Sequence, residues 1–237
     1  MDTFTSKKSL PFLVSDIQRC FQENKSLSHI MGDVGILLNR FGEEGIKNVI
    51  NEILNNEKLI EDIASKSYLQ GNGFYKILLS KKKDFAVRFH IWMPGNDAQE
   101  NLHDHRWHFA SANIRGSLKS EVWEESASST DSEYDEYLYI DKETDPVLVG
   151  KVKVKFIKNV VHSEGTYYTL SPNELHRIVS DGNKIMATLV CHSASTKASA
   201  RIIPIIHSSI PDVKPINMSP DEFCQLLRWY LKLSKIS

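Results

Sequence analysis

Residues 85–93 read Phe85-Ala86-Val87-Arg88-Phe89-His90-Ile91-Trp92-Met93. Apolar side chains fall on every second position (Phe85, Val87, Phe89, Ile91, Met93), and Ala86, Arg88, His90 and Trp92 alternate with them. Successive side chains of a β-strand point to opposite faces, so this period of two predicts a strand. One face suits an apolar layer. The other carries an Arg-His-Trp set that suits a barrel wall whose inner side lines a polar pocket.

Working outward, further short strands are expected at 102–114, 118–123, 138–140, 147–157, 165–170, 176–180 and 185–192, ending near 202–206. Many short strands with turns between them predict an antiparallel barrel or a double-sheet jelly roll. Upstream the period is helical: Phe12, Leu13, Ile17, Cys20 and Phe21, then an amphipathic stretch over 27–41, then Ile46, Val49, Ile50, Ile53 and Leu54, followed by Leu59, Ile60 and Ile63. Ser219-Pro220-Asp221-Glu222 opens a C-terminal helix, with Ser219 as N-cap and Pro at its first position. The expected organisation is a helical segment over 1–72, a barrel over 73–207 and a C-terminal extension over 208–237, all one structural domain. Residues 124–136, rich in Ser, Asp and Glu, read as an acidic loop.

The chain has 237 residues, 41% hydrophobic and 25% charged, with a net charge of −1. A balanced charge gives no global attraction to nucleic acid or an anionic membrane. No apolar run approaches the ~20 residues that a membrane helix needs. Three widely spaced cysteines, Cys20, Cys191 and Cys224, form neither a CxxC pair nor a disulfide framework. The expectation is a cytoplasmic monomer or homodimer that acts on a small molecule. No GxSxG, P-loop or GxGxxG appears.

His103-Asp104-His105 carries the chemistry. On a strand these two histidines share a face and can grip one ion. A third, His176, follows in Pro172-Asn173-Glu174-Leu175-His176. Three imidazoles suit ferrous iron and equally zinc, copper or nickel, and they leave positions open for substrate. A three-histidine site is more positive than one with a carboxylate, which favours anionic co-ligands. Strict alternation turns His108 away from the pair, and Asp104 and Arg106 with it.

The segment from Leu102 to Phe109 with Gly116, and the segment from Gly165 through Pro172 to His176, resemble the two motifs of the cupin superfamily. In that frame Phe109 occupies the position of the family's acid. The thiol dioxygenases among cupins also lack that acid and hold ferrous iron with three histidines. Leu102-His103-Asp104-His105, Leu175-His176-Arg177 and the turn from Trp92 to Gly95 are similar to theirs. The resemblance implies a cupin-type double-stranded β-barrel with His103, His105 and His176 as ligands to Fe(II), zinc, nickel, copper and manganese being alternatives. It further implies His192 beside the pocket and a substrate-binding residue at Tyr75 or Lys76, while the inner face of the 85–93 strand offers Arg88, His90 and Trp92 as substrate-binding residues and His108 remains a second catalytic candidate.

Two departures qualify it. The family's crosslinking cysteine falls near Phe109 or Ala110, and its later tyrosine at Ala194. The arginine that holds the substrate carboxylate falls near Tyr75 or Lys76, so Arg88 is the substitute. The implied function is a mononuclear non-haem iron oxygenase that uses dioxygen on a small thiol or amino-acid-like substrate. The alternatives are a non-catalytic metal- or small-molecule-binding cupin, or a metal-dependent isomerase or lyase.

Overall fold

The computed structural model describes residues 8–71, 73–95, 100–140, 145–179, 182–206 and 215–234. Its strands form two antiparallel sheets. The first has seven, in the order β13 (Ile216–Asn217), β1 (Tyr68–Gln70), β2 (Phe74–Lys81), β3 (Phe85–Trp92), β11 (Met186–Ser193), β5 (Phe109–Arg115) and β9 (Tyr167–Leu170). The second closes on itself as β10 (Leu175–Val179), β4 (Leu102–His103), β12 (Ala200–Ile203), β7 (Glu133–Tyr139), β8 (Val147–His162) and β6 (Leu118–Glu125). The fold is mainly β with helices at both ends, as the two periodicities predict.

The alternation in β3 decides where the core lies. Phe85, Val87, Phe89 and Ile91 join Ala187, Leu189 and Cys191 of β11 and Ala110, Ala112 and Ile114 of β5 on one face. That face packs against α1 (Leu10–Gln22), α2 (Leu27–Leu54) and α4 (Pro220–Leu233), which contribute Ile17, Val34, Leu38, Ile50, Phe223 and Leu227. Phe21 stacks on Phe85 at 5.2 Å, and Tyr230 meets Phe89 edge-on at 5.1 Å. Burying each such side chain stabilises the fold by about 1.5–3 kcal/mol. The main core is thus between sheet and helices, which leaves the opposite face, with Arg88 and His90, free to line the barrel interior.

Both helix ends follow local chemistry. Ser219 and Glu222 form a reciprocal capping box on α4. In α2 the break falls at Gly42, whose φ of 58° interrupts the helical backbone where the two amphipathic stretches meet. The short α3 (Glu57–Ala64) starts from Asn56, whose side chain accepts from the Leu59 N–H.

Three expectations need correction. The single strand over 102–114 is two, β4 and β5, separated by residues 104–108. Asp104 causes the break: its buried carboxylate accepts the Arg201 N–H at 2.8 Å and pairs with Lys197 at 2.5 Å. The Arg106 carbonyl also accepts the Thr196 N–H, which fastens this loop to the segment after β11. The acidic loop is shorter than 124–136, because Glu124 and Glu125 end β6 and β7 begins at Glu133. Arg201 draws the two strands together by pairing with Glu125 and Glu136. Tyr68–Gln70 and Phe74–Lys81 form two further strands, β1 and β2, ahead of the first one expected. Ser180, the expected end of one strand, and His207 lie outside the described residues.

Gly116 turns the chain between β5 and β6 with φ of 74°, and a Cβ there would lie 2.6 Å from the Ile185 carbonyl oxygen. A Gly116→Ala variant meets both strain and a backbone clash, and it is expected to lose about 2–3 kcal/mol of stability. Thermal denaturation checks this; an unchanged midpoint would mean that the turn relaxes freely.

Candidate metal centre

His103 and His176 face each other across the β4–β10 ladder, where they are direct register partners. His105 reaches the same point from the loop after β4, so the pairing of the two histidines does not depend on strand alternation. One ring nitrogen from each of the three lies within 4.8 Å of the others. The Nε2 atoms of His105 and His176 are 2.8 Å apart, and the ring centroids are separated by 4.7–5.0 Å.

The protonation states suit a cation. Burial holds His105 well below the usual imidazole range, reinforced by His103, His176, Lys76 and His192. His176 is likewise held down by burial first, then by His103 and His162. The 2.8 Å between these two Nε2 atoms is also the length of a hydrogen bond in which one neutral ring donates to the other, and an ion would take the place of that proton. Ligand bonds of about 2.0–2.1 Å to one ion bring neighbouring nitrogens to roughly this separation. His103 donates its Nδ1–H to the Asn101 carbonyl at 2.9 Å, which leaves its Nε2 as the bare nitrogen. The donor set therefore fits a divalent transition metal.

Phe109 sets its ring edge-on to His105 at 4.8 Å. No carboxylate completes the cluster among the described residues. Asp104, between the two histidines in sequence, points instead to Lys197 and Arg201.

The inner wall of the first sheet supplies the surroundings. Arg88, His90 and Trp92 line it from β3, and Lys76 stands opposite His90 on β2. His90 Nε2, Trp92 Nε1 and His192 Nε2 are buried with no partner among the described residues. His192 donates Nδ1–H to the Ser193 carbonyl, so its Nε2 is a bare acceptor. Burial, then the Arg88 charge, pushes its pKa down to about 3, and it stays neutral. Tyr75 is on the other face of β2, packed into the core beneath the helices, and does not reach the pocket. His108 is not part of the histidine cluster; its carbonyl accepts the Ser193 N–H.

Three pocket residues escaped the sequence reading. Trp107 stacks on His192 at 4.2 Å, with the guanidinium groups of Arg88 and Arg106 at 5.5 and 5.2 Å from its ring. Glu100 is buried, accepts the Ile178 N–H at 3.1 Å, and has its pKa raised by burial against the opposing influence of His103. Tyr168 stacks on His162 at 3.9 Å, inside the barrel rather than on its surface. The aromatic neighbour in Arg106-Trp107-His108 was the one available signal, and Glu100 had none.

No protein-family model matches the chain, and no curated protein does. Solved structures similar to it include a RmlC-like cupin from Shewanella frigidimarina NCIMB 400, at 14% identity over 53% of this chain and 80% of that one, with a TM-score of 0.33. Another is hydroquinone 1,2-dioxygenase from Sphingomonas sp. TTNP3, at 10% identity over 51% and 66%, with a TM-score of 0.34. A DMSP lyase structure matches at 12% identity with a TM-score of 0.33; the match covers 54% of this chain and 52% of that one. At these identities the likeness concerns the fold alone. No helix among the described residues is long and apolar enough to cross a membrane.

Proposed function

We propose that this chain is a mononuclear non-haem iron oxygenase of the thiol-dioxygenase type, acting on a small anionic substrate. The observation that carries the reading is the convergence of three imidazoles, with Phe109 where an acidic ligand would stand. His103, His105 and His176 would hold the ion, and when bound it supplies dioxygen activation and a coordination point for substrate.

The rest of the work falls to the chain itself. Arg88 is an inward-facing cation with no carboxylate in ion-pair distance among the described residues, and its guanidinium carbon lies 5.5 Å from the Trp107 ring centroid. Its fork can receive a substrate carboxylate through two parallel hydrogen bonds. The bare Nε2 of His192 can accept a hydrogen bond from a substrate N–H or O–H. Phe74, Trp92 and Met186 close one end of the pocket with apolar surface and exclude water there.

Oxygen uptake by the iron-loaded protein across a panel of thiols and amino acids tests this reading. Substrate-dependent uptake is expected, and an Arg88→Gln variant should raise KM at least about tenfold for a carboxylate-bearing substrate. Its metal content should not change. If no member of the panel raises uptake above the substrate-free rate, the oxygenase reading fails. Phe109 or Ala110 stands where the thiol dioxygenases have their crosslinking cysteine and Ala194 where they have the tyrosine, and this favours a binding protein or a metal-dependent isomerase or lyase as the second reading.

A further inference from the structure

Two guanidinium groups share one indole beside the histidine cluster. The Arg88 guanidinium carbon lies 5.5 Å from the Trp107 ring centroid, and that of Arg106 lies 5.2 Å from it. Their separation cannot exceed the sum of these distances, so one small molecule can span both. Among the described residues neither has a carboxylate within ion-pair distance. Strand alternation would turn Arg106 away from the histidines, but the loop over 104–108 carries it to Trp107. The Arg106 carbonyl accepts the Thr196 N–H at 2.7 Å, which anchors the backbone that presents the side chain.

Arginines drawn out of water are ordinarily paired, because an uncompensated charge there is costly. Two like charges against one ring also repel each other. Attraction to the indole face offsets this only in part, by about 0.5–2 kcal/mol for each cation. A ligand with two negative groups would satisfy both. We propose that the substrate carries two carboxylates, one received by Arg88 and the other by Arg106, so that the site selects small dicarboxylates over monocarboxylates. Each guanidinium offers a planar fork that holds a carboxylate through two parallel hydrogen bonds.

The surroundings suit such a ligand. The rings of His105, Trp107 and His192 form a row, with centroids 6.2 Å apart at the first step and 4.2 Å at the second. This row leads from a member of the histidine cluster to the indole that both arginines approach. All three residues, and both arginines, are only partly covered, so a small molecule in solvent can reach them. His192 Nε2 is buried with no partner among the described residues and can accept a hydrogen bond from a neutral group of the same ligand. The acid nearest to Arg106 in sequence, Asp104, is engaged by Lys197 and the Arg201 N–H.

Selection of a dicarboxylate rests on the pocket of the proposed oxygenase, yet it can be observed without oxygen chemistry. Calorimetric titration of the full chain with succinate and with butyrate, with and without Zn(II), tests it. These probes have the same number of carbons and differ by one carboxylate. Succinate is expected to bind at least about tenfold more tightly, the worth of a hydrogen-bonded charge pair. Arg106→Gln should bring succinate down to the affinity of butyrate and leave butyrate unchanged, which also shows that the variant is folded. Arg88→Gln should weaken both. A preference for succinate in a protein that takes up no oxygen would sink the oxygenase reading and leave this selection standing. Equal affinities for the two acids, or a preference that survives Arg106→Gln, would overturn the proposal even if a thiol drives oxygen uptake.

Discussion

Replacing His105 by alanine is expected to weaken binding of a divalent transition metal by at least about a hundredfold, since loss of even an outer partner of a ligand costs 10–100-fold. The variant removes one of the two nitrogens that stand 2.8 Å apart and leaves His103 and His176 as the remaining pair. The fold should survive. His105 belongs to a loop whose shape is set by its neighbours, through the Asp104–Lys197 pair and the hydrogen bond from Thr196 to the Arg106 carbonyl. His108→Ala is the matched control, because His108 lies outside the cluster, and its affinity should equal that of the wild type. Competition against a chelator measures both. Equal affinities for wild type and His105→Ala would remove this residue from the site.

Acid should unfold the metal-free protein over a narrow range. His90, His105, His176 and His192 are all held neutral in the fold, each by burial first. In the unfolded chain they titrate near 6.5, so below that pH the unfolded state binds more protons than the native one. Their contribution is fully present above pH 6.5 and is lost as the pH falls toward their folded values, which for His192 is about 3. Each can cost up to about 1.4 kcal/mol per pH unit in that window. Four together would remove several kcal/mol by pH 5, a large part of the 5–15 kcal/mol that holds an ordinary domain together. Urea denaturation at pH 7.5 and pH 5 should show a markedly lower midpoint at pH 5. Equal midpoints would mean that these imidazoles pick up protons without loss of structure.

The alternation over 85–93 was legible because its two faces differ so sharply in polarity, and the structure gives each face the neighbour that its chemistry calls for. His103 and His105 were legible through their spacing and His176 through the resemblance to the second cupin motif; His103 and His176 prove to be register partners although 73 positions separate them in the chain. The break after His103 was not legible. Leu102 to Ile114 reads as continuous strand, and what interrupts it is the capture of Asp104 by Lys197 and Arg201, a tertiary contact with no local trace. Tyr75 and Lys76 could not be told apart for a similar reason. Neighbours on a strand face opposite ways, and only the pairing of Lys76 with His90 shows which of them turns inward. Glu100 stayed hidden because a glutamate ahead of a strand ordinarily lies in solvent, whereas this one is buried against the Ile178 N–H.

Three imidazoles are expected to hold one metal ion, and X-ray absorption on protein produced without an affinity tag and loaded with Fe(II) tests this. One ion per chain is expected, with nitrogen ligands at about 2.0–2.2 Å, an imidazole scattering pattern that counts three, and a count of two in His176→Ala. Failure to retain stoichiometric metal, or a spectrum unchanged in His176→Ala, would contradict it.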